Sequence, residues 1–162
     1  MRKYKWIIII INLIILVFTF NKSVFKKEEL LSGGQLILLE LAPVDPRSLM
    51  QGDFMRLSYA ISRNINSDSI SKRGFCVVKL DTSGVGKRVR IQEEITPIYE
   101  NEFLIEYTSN GWRGLNIGAE SYFFQEGDAD KYESGKYGGI KVDNQGNSVL
   151  VGLYDENRIK IE

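Results

Sequence analysis

Residues 75–92 read FCVVKLDTSGVGKRVRIQ, and this stretch decides the fold class. A largely apolar run, 75–80, interrupted by Lys79, and an alternating one, 88–92, flank Asp81-Thr82-Ser83-Gly84-Val85-Gly86, a cluster of turn formers. That pattern reads as a β-hairpin. It recurs downstream. Runs 103–108 and 112–117 flank Ser109-Asn110-Gly111, whose Asn-Gly pair is a strong turn signal. Runs 139–142 and 149–154 flank Asp143-Asn144-Gln145-Gly146-Asn147, and 158–161 can add a short last strand. Upstream, 35–41 (QLILLEL) is nearly all apolar, as a strand buried on both faces would be. Residues 53–62 alternate, with Asp53, Met55, Leu57, Tyr59 and Ile61 on the core face. In this part of the chain only 128–134 reads as helix, with Asp128 as its cap. The expected architecture is mainly β: an antiparallel sandwich or partly closed barrel with one short helix.

The N-terminus departs from this pattern. Residues 6–20, WIIIIINLIILVFTF, are apolar except for Asn12 and Thr19. As a helix they cover about 22 Å, and flanking residues bring the segment to the ~30 Å of a bilayer core. Lys5 and Lys22 can reach the head groups, and Trp6 suits the interface. A cleaved signal peptide needs small residues after the apolar run. Here Thr19, Phe20, Asn21, Lys22, Ser23, Val24 and Phe25 follow, so a retained signal-anchor is expected. Five consecutive isoleucines without a polar face argue against a buried helix of a soluble domain. The chain divides into an N-terminal transmembrane helix at 1–25, a polar stem at 26–34 and a β domain at 35–162. Arg2, Lys3 and Lys5 precede the helix, and Lys22, Lys26 and Lys27 follow it. The short N-terminus is the easier end to keep inside. This places a single-pass protein in the cytoplasmic membrane with its C-terminal domain outside the cytoplasm.

Composition narrows the chemistry. The 162 residues include 21 Lys plus Arg, 21 Asp plus Glu, one cysteine and no histidine. No Ser-His-Asp triad, Cys-His dyad or His-ligated metal site can be assembled from this chain, and no internal disulfide. Removing the four basic residues of the first 22 positions leaves 17 basic against 21 acidic, so the body is mildly acidic. No nucleic-acid partner, cofactor or metal is expected. The phosphate-loop-like Gly84-Val85-Gly86-Lys87 has Asp81 and Arg88 where glycine and Ser/Thr are needed. The segment from Asp128 fails as a calcium loop at Tyr132, Glu133 and Gly139. Glu93 and Glu94, adjacent in extended chain, point to opposite faces. Cys76, in an apolar strand, reads as core.

The segment 41–59, LAPVDPRSLMQGDFMRLSY, is the richest in special residues. Pro43 and Pro46 bias Ala42 and Asp45 toward extended conformations, and Gly52 allows an unusual backbone angle before the strand. One reading is a rigid corner in which Asp53 bonds backbone amides. The other is a charged rim where Arg47, Asp53 and Arg56 meet a partner or ligand. Gly52-Asp53-Phe54-Met55-Arg56-Leu57-Ser58-Tyr59 resembles the motif that defines the GDYXXLXY family. Residues 41–51, Tyr122-Phe123-Phe124-Gln125-Glu126-Gly127, Tyr137-Gly138 and the hairpin at 142–153 resemble that family too. The similarity covers roughly 28–162. Phe54 stands where the family name has Tyr, so no phenol hydroxyl acts there. Family members are membrane-anchored and often occur beside, or fused to, multi-pass membrane proteins. The resemblance therefore implies a membrane-associated partner rather than a reaction.

Three functions are open. The first is a binding or assembly subunit that docks a multi-pass membrane partner through Arg47, Asp53 and Arg56. The second is a peptide hydrolase with Ser48 as nucleophile and Lys79 as base. The spacing of Ser48 to Gly52-Asp53 is faintly similar to signal peptidases, and a lysine base requires desolvation. The third is small-ligand binding in the cell envelope. Tyr122, Phe123, Phe124, Tyr132 and Tyr137 gather around the short helix. In a strand, Phe123 or Phe124 must face away from the core, where it can serve an interface.

Overall fold

A computed structural model describes residues 2–42, 54–65, 70–109, 114–125 and 127–162. Helix α1 spans Arg2–Gly33, and residues 4–29 are all exposed. Residues 4–25 cover about 33 Å at 1.5 Å per residue, enough to cross a bilayer core of ~30 Å. Two of its polar side chains bond within the helix: Thr19 donates to the Ile15 and Leu16 carbonyls and Asn21 Nδ2 to that of Val17. The stem expected at 26–34 is helical through Gly33, because Lys-Lys-Glu-Glu-Leu-Leu are all strong helix formers.

The helix ends against the domain. Leu30 is buried at 4 % exposure, and Lys141 Nζ donates to the Leu31 carbonyl. The Gly34 amide bonds the Leu30 carbonyl at 2.9 Å. A Cβ on Gly34 would lie 2.4 Å from that oxygen, so only glycine makes this turn from helix into strand.

The strands are β1 (Gln35–Glu40), β2 (Phe54–Arg56), β3 (Arg73–Leu80), β4 (Gly86–Gln92), β5 (Glu102–Ser109), β6 (Leu115–Asn116), β7 (Ser121–Phe123), β8 (Tyr137–Val142) and β9 (Ser148–Tyr154). They form three antiparallel ladders, ordered β1-β8-β9, β2-β7 and β4-β3-β5-β6. Strands of all three contribute to one core that includes Ile37, Met55, Val78, Ile105, Ile140 and Leu153. The ladders touch where the Leu38 amide bonds the Gly84 carbonyl and Leu38 bridges Val85. The fold is thus mainly β and antiparallel; of the two expected architectures, no closed barrel forms.

The β3–β4 and β8–β9 hairpins lie where the turn chemistry puts them. Asp81 holds the first turn by accepting from the Ser83 and Val85 amides and the Ser83 hydroxyl. Asp143 does the same for the second, through the Gln145 and Asn147 amides. Strands β4 and β5 both run antiparallel to β3, so residues 93–101 must cross the sheet between them. Arg90 pins that crossing with an ion pair to Glu102 at 2.6 Å, a bond to the Pro97 carbonyl and a stack on Tyr99.

Four expectations need correction. The strand expected over 53–62 is only three residues long and gives way to a 3-10 turn at Ala60–Ser62. Its burial alternation survives at Met55, Leu57, Tyr59 and Ile61, while the backbone leaves the β2-β7 ladder. The helix expected over 128–134 is α2, Ala129–Tyr132. Asp128 makes no capping bond and instead pairs with Lys131 at 3.0 Å. The last strand reduces to one bridge between Tyr154 and Lys160. The strand expected at 112–117 is described only at Leu115–Asn116, and Asn110-Gly111 lies outside the described residues.

Candidate functional site

The motif segment is held on two sides. Toward β7, the Leu57 amide bonds the Glu120 carbonyl at 2.8 Å, and the buried Tyr59 hydroxyl donates to the Ala119 carbonyl at 2.6 Å. Toward β1, the Ala42 amide bonds the Ser58 carbonyl at 2.7 Å, and Leu41 bridges Tyr59. Burial, and secondarily the Glu120 carboxylate, raises the Tyr59 pKa far above the ordinary phenol value, so this hydroxyl stays protonated and structural. The Tyr59 ring lies against Gly138 of β8. A Cβ on Gly138 would sit 2.7 Å from the ring and 2.9 Å from its oxygen. Leu57, Tyr59 and Gly138 therefore form one packed unit, although 79 positions separate the last two.

On the opposite face of β2, Arg56 is turned to solvent. Phe54 and Arg56 pair with Phe123 and Ser121 on β7, while Met55 pairs with Tyr122 and is buried. Arg56 is exposed, and Phe123 is 74 % exposed. Beside this face lies a cleft of about 230 Å³, lined in part by Arg56, Ser58, Tyr132, Glu133 and Lys136. Tyr132 of its lining belongs to an aromatic triangle: Tyr122 meets Tyr132 edge-on at 5.0 Å, and Phe124 lies 5.5 Å from Tyr132. Burial, reinforced by the hydrogen bond to Tyr132, pushes the Tyr122 phenol up to about 12. Two cations, one carboxylate and a hydroxyl beside Tyr132 and the aliphatic Leu41, Met55 and Leu57 are groups for recognising a polar or acidic ligand surface.

Of the residues singled out from sequence, Arg56 reaches this cleft. Arg47, Ser48, Gly52 and Asp53 lie outside the described residues. Their segment leaves the described structure at Ala42, which lines the cleft, and re-enters at Phe54, next in sequence to the lining residue Met55. Lys79 is exposed on β3, opposite Glu102, without the desolvation a lysine base requires. Cys76 is fully buried, and that burial pushes its thiol up to about 12. Glu133 and Lys136 were not singled out as site residues. Their only signal was proximity to the aromatic cluster, because α2 reaches the motif solely through tertiary packing. Among the described residues no group of His, Cys, Asp and Glu could hold a metal ion.

A family model described as GDYXXLXY protein matches residues 16–153. The match takes in the second half of α1 together with nearly the whole β domain, and the chain belongs to the GDYXXLXY family. Neither a curated protein nor a solved structure gives a match.

Proposed function

We propose that this GDYXXLXY-family chain is a membrane-anchored assembly subunit. In this reading α1 is a retained signal-anchor in the cytoplasmic membrane, and the β domain stands in the cell envelope outside the cytoplasm. The motif face around Arg56 and Phe123, with Arg47 and Asp53 from the adjoining segment, docks a multi-pass membrane partner. One observation carries the reading: on paired strands of the motif ladder stand an arginine that lines a charged cleft and a 74 % exposed phenylalanine. Arginine and aromatic side chains dominate interface energetics, and burying such a ring contributes about 1.5–3 kcal/mol. The core side of the same segment is occupied by packing, which leaves the outward side for recognition.

The test is gentle-detergent purification of the full-length protein beside Arg56→Ala, Phe123→Ala and Lys79→Ala. A multi-pass companion retained by wild type and Lys79→Ala, but lost with the first two, is the expected result. Equal retention in all four sinks the assignment. Topology is read separately. Because Cys76 is buried, Glu156→Cys supplies one exposed thiol, which an impermeant maleimide should label on intact cells. Labelling only after lysis would reverse the orientation.

A further inference from the structure

A second concavity, of about 500 Å³, lies at the other end of the domain, between α1 and the strands. Its helix wall includes Lys26, Lys27 and Leu30, and its domain wall includes Arg73, Glu106 and Asn116. The size falls within the roughly 300–1,000 Å³ of ordinary ligand clefts. Three features define what it would take. First, its cations outnumber its carboxylates. Lys26, Lys27 and Arg73 face one carboxylate, Glu106, and none of the three cations has an ion pair among the described residues. Second, the cations come from two elements brought together by folding, since Arg73 opens β3 while the lysines belong to α1. Third, the height is set by the anchor. Lys26 directly follows residues 4–25, the membrane-length part of the helix, so the mouth of the groove opens at the level of lipid head groups.

We infer that this groove binds the phosphate head group of an anionic phospholipid, gripped between Lys26, Lys27 and Arg73. The buried Leu30, the Lys141 bond to the Leu31 carbonyl and the Gly34 turn hold the two walls together. The bound lipid would then fix how the domain sits on the membrane. The inference rests on the proposed reading only for its anchor and is independent of the docking face.

The test uses full-length protein reconstituted into nanodiscs of phosphatidylcholine and phosphatidylglycerol. Resistance of the wild type to alkaline carbonate extraction is checked first. A chain that washes off overturns the anchor and the lipid site together, while an integrated chain allows the groove to be judged alone. Lipid carried through detergent delipidation is then counted by native mass spectrometry. Phosphatidylglycerol should be retained over phosphatidylcholine. Arg73→Gln should lower that retention about 5-fold, the weight of one cation near an anionic surface. Lys22→Gln, at similar height but outside the groove, should leave it unchanged. Equal losses in the two variants would mean diffuse surface charge and overturn the site. Displacement of the retained lipid by millimolar inorganic phosphate would also overturn it, in favour of a free-anion site. Companion capture by the Arg73→Gln protein should match wild type, which separates this result from the docking face.

Discussion

The two ends of the β1-β8-β9 sheet are built on different physics. At the motif end, where Tyr137 pairs with Glu40, the Tyr59 ring is wedged against Gly138 and its hydroxyl is spent on the Ala119 carbonyl. The ring there is fully buried and in close contact with the β8 backbone. At the helix end, where Val142 pairs with Gln35, one leucine and a glycine turn join α1 to the domain, and exposed cations line the space between. Substitutions at the first end should therefore register as lost stability. At the second they should register as lost affinity in a protein that stays folded. The motif that gives the family its name is, in Leu57 and Tyr59, a packing device.

The strongest attempt to break this contrast is Tyr59→Ala. Truncating a fully buried aromatic costs about 3–5 kcal/mol, so urea unfolding of the full-length protein in micelles should shift far toward low denaturant. Tyr59→Phe separates packing from hydrogen bonding and should cost about 1–3 kcal/mol, because the Ala119 carbonyl loses its partner. Gly138→Ala comes next, at about 1–3 kcal/mol, since the new methyl must push the Tyr59 ring or the β8 backbone. Near-native stability in both Tyr59→Ala and Gly138→Ala would refute the packed-unit account.

A pH series supplies a reference that belongs to neither end. Asp81, held by the Ser83 hydroxyl and the Val85 amide, has its carboxyl lowered to about 2. A depressed folded pKa means stability that is fully present above the unfolded value near 4 and is lost as pH falls through about 2. Wild type should therefore lose its Tm advantage over Asp81→Asn across that window, and the two melting curves should converge at its acid end. A constant gap would remove the turn carboxylate from the explanation. The smallest change is expected at the helix end. Lys26→Gln and Lys27→Gln, both exposed, should move stability by no more than about 0.5 kcal/mol in the same urea assay. A larger loss would make the groove a structural element and erase the contrast.

Some of this was legible residue by residue. The hairpin turns at 81–86 and 143–147 announce themselves because Asp, Gly and Asn bond locally, within four positions. The apolar run from Trp6 needs only length and composition to be recognised as long and apolar enough to cross a membrane. Phe123 was flagged because a strand must turn alternate residues outward. The extension of α1 through residues 26–33 could have been read from propensity. What misled was treating a polar composition as the end of the helix. The break in β2 after Arg56 could not be read. Residues 57–61 keep a strand's alternation, yet their backbone partners are Glu120, Leu41 and a 3-10 turn rather than one continuous neighbour. Glu133 and Lys136 were invisible as cleft residues for the same reason.

The sequence by itself determined the division into an apolar helix and a β domain, the principal hairpins, the buried positions of the motif and the exclusion of histidine chemistry. These depend on interactions within a few residues of chain or on the transfer of side chains from water, which composition and period encode directly. Only the tertiary structure decided that Tyr59 rests on Gly138, that Arg56 shares a cleft with Lys136, and that Arg73 faces Lys26 across a groove. Each of these pairings joins residues separated by roughly 50 to 80 positions, and such distant partners are selected by how the whole core packs rather than by any local preference.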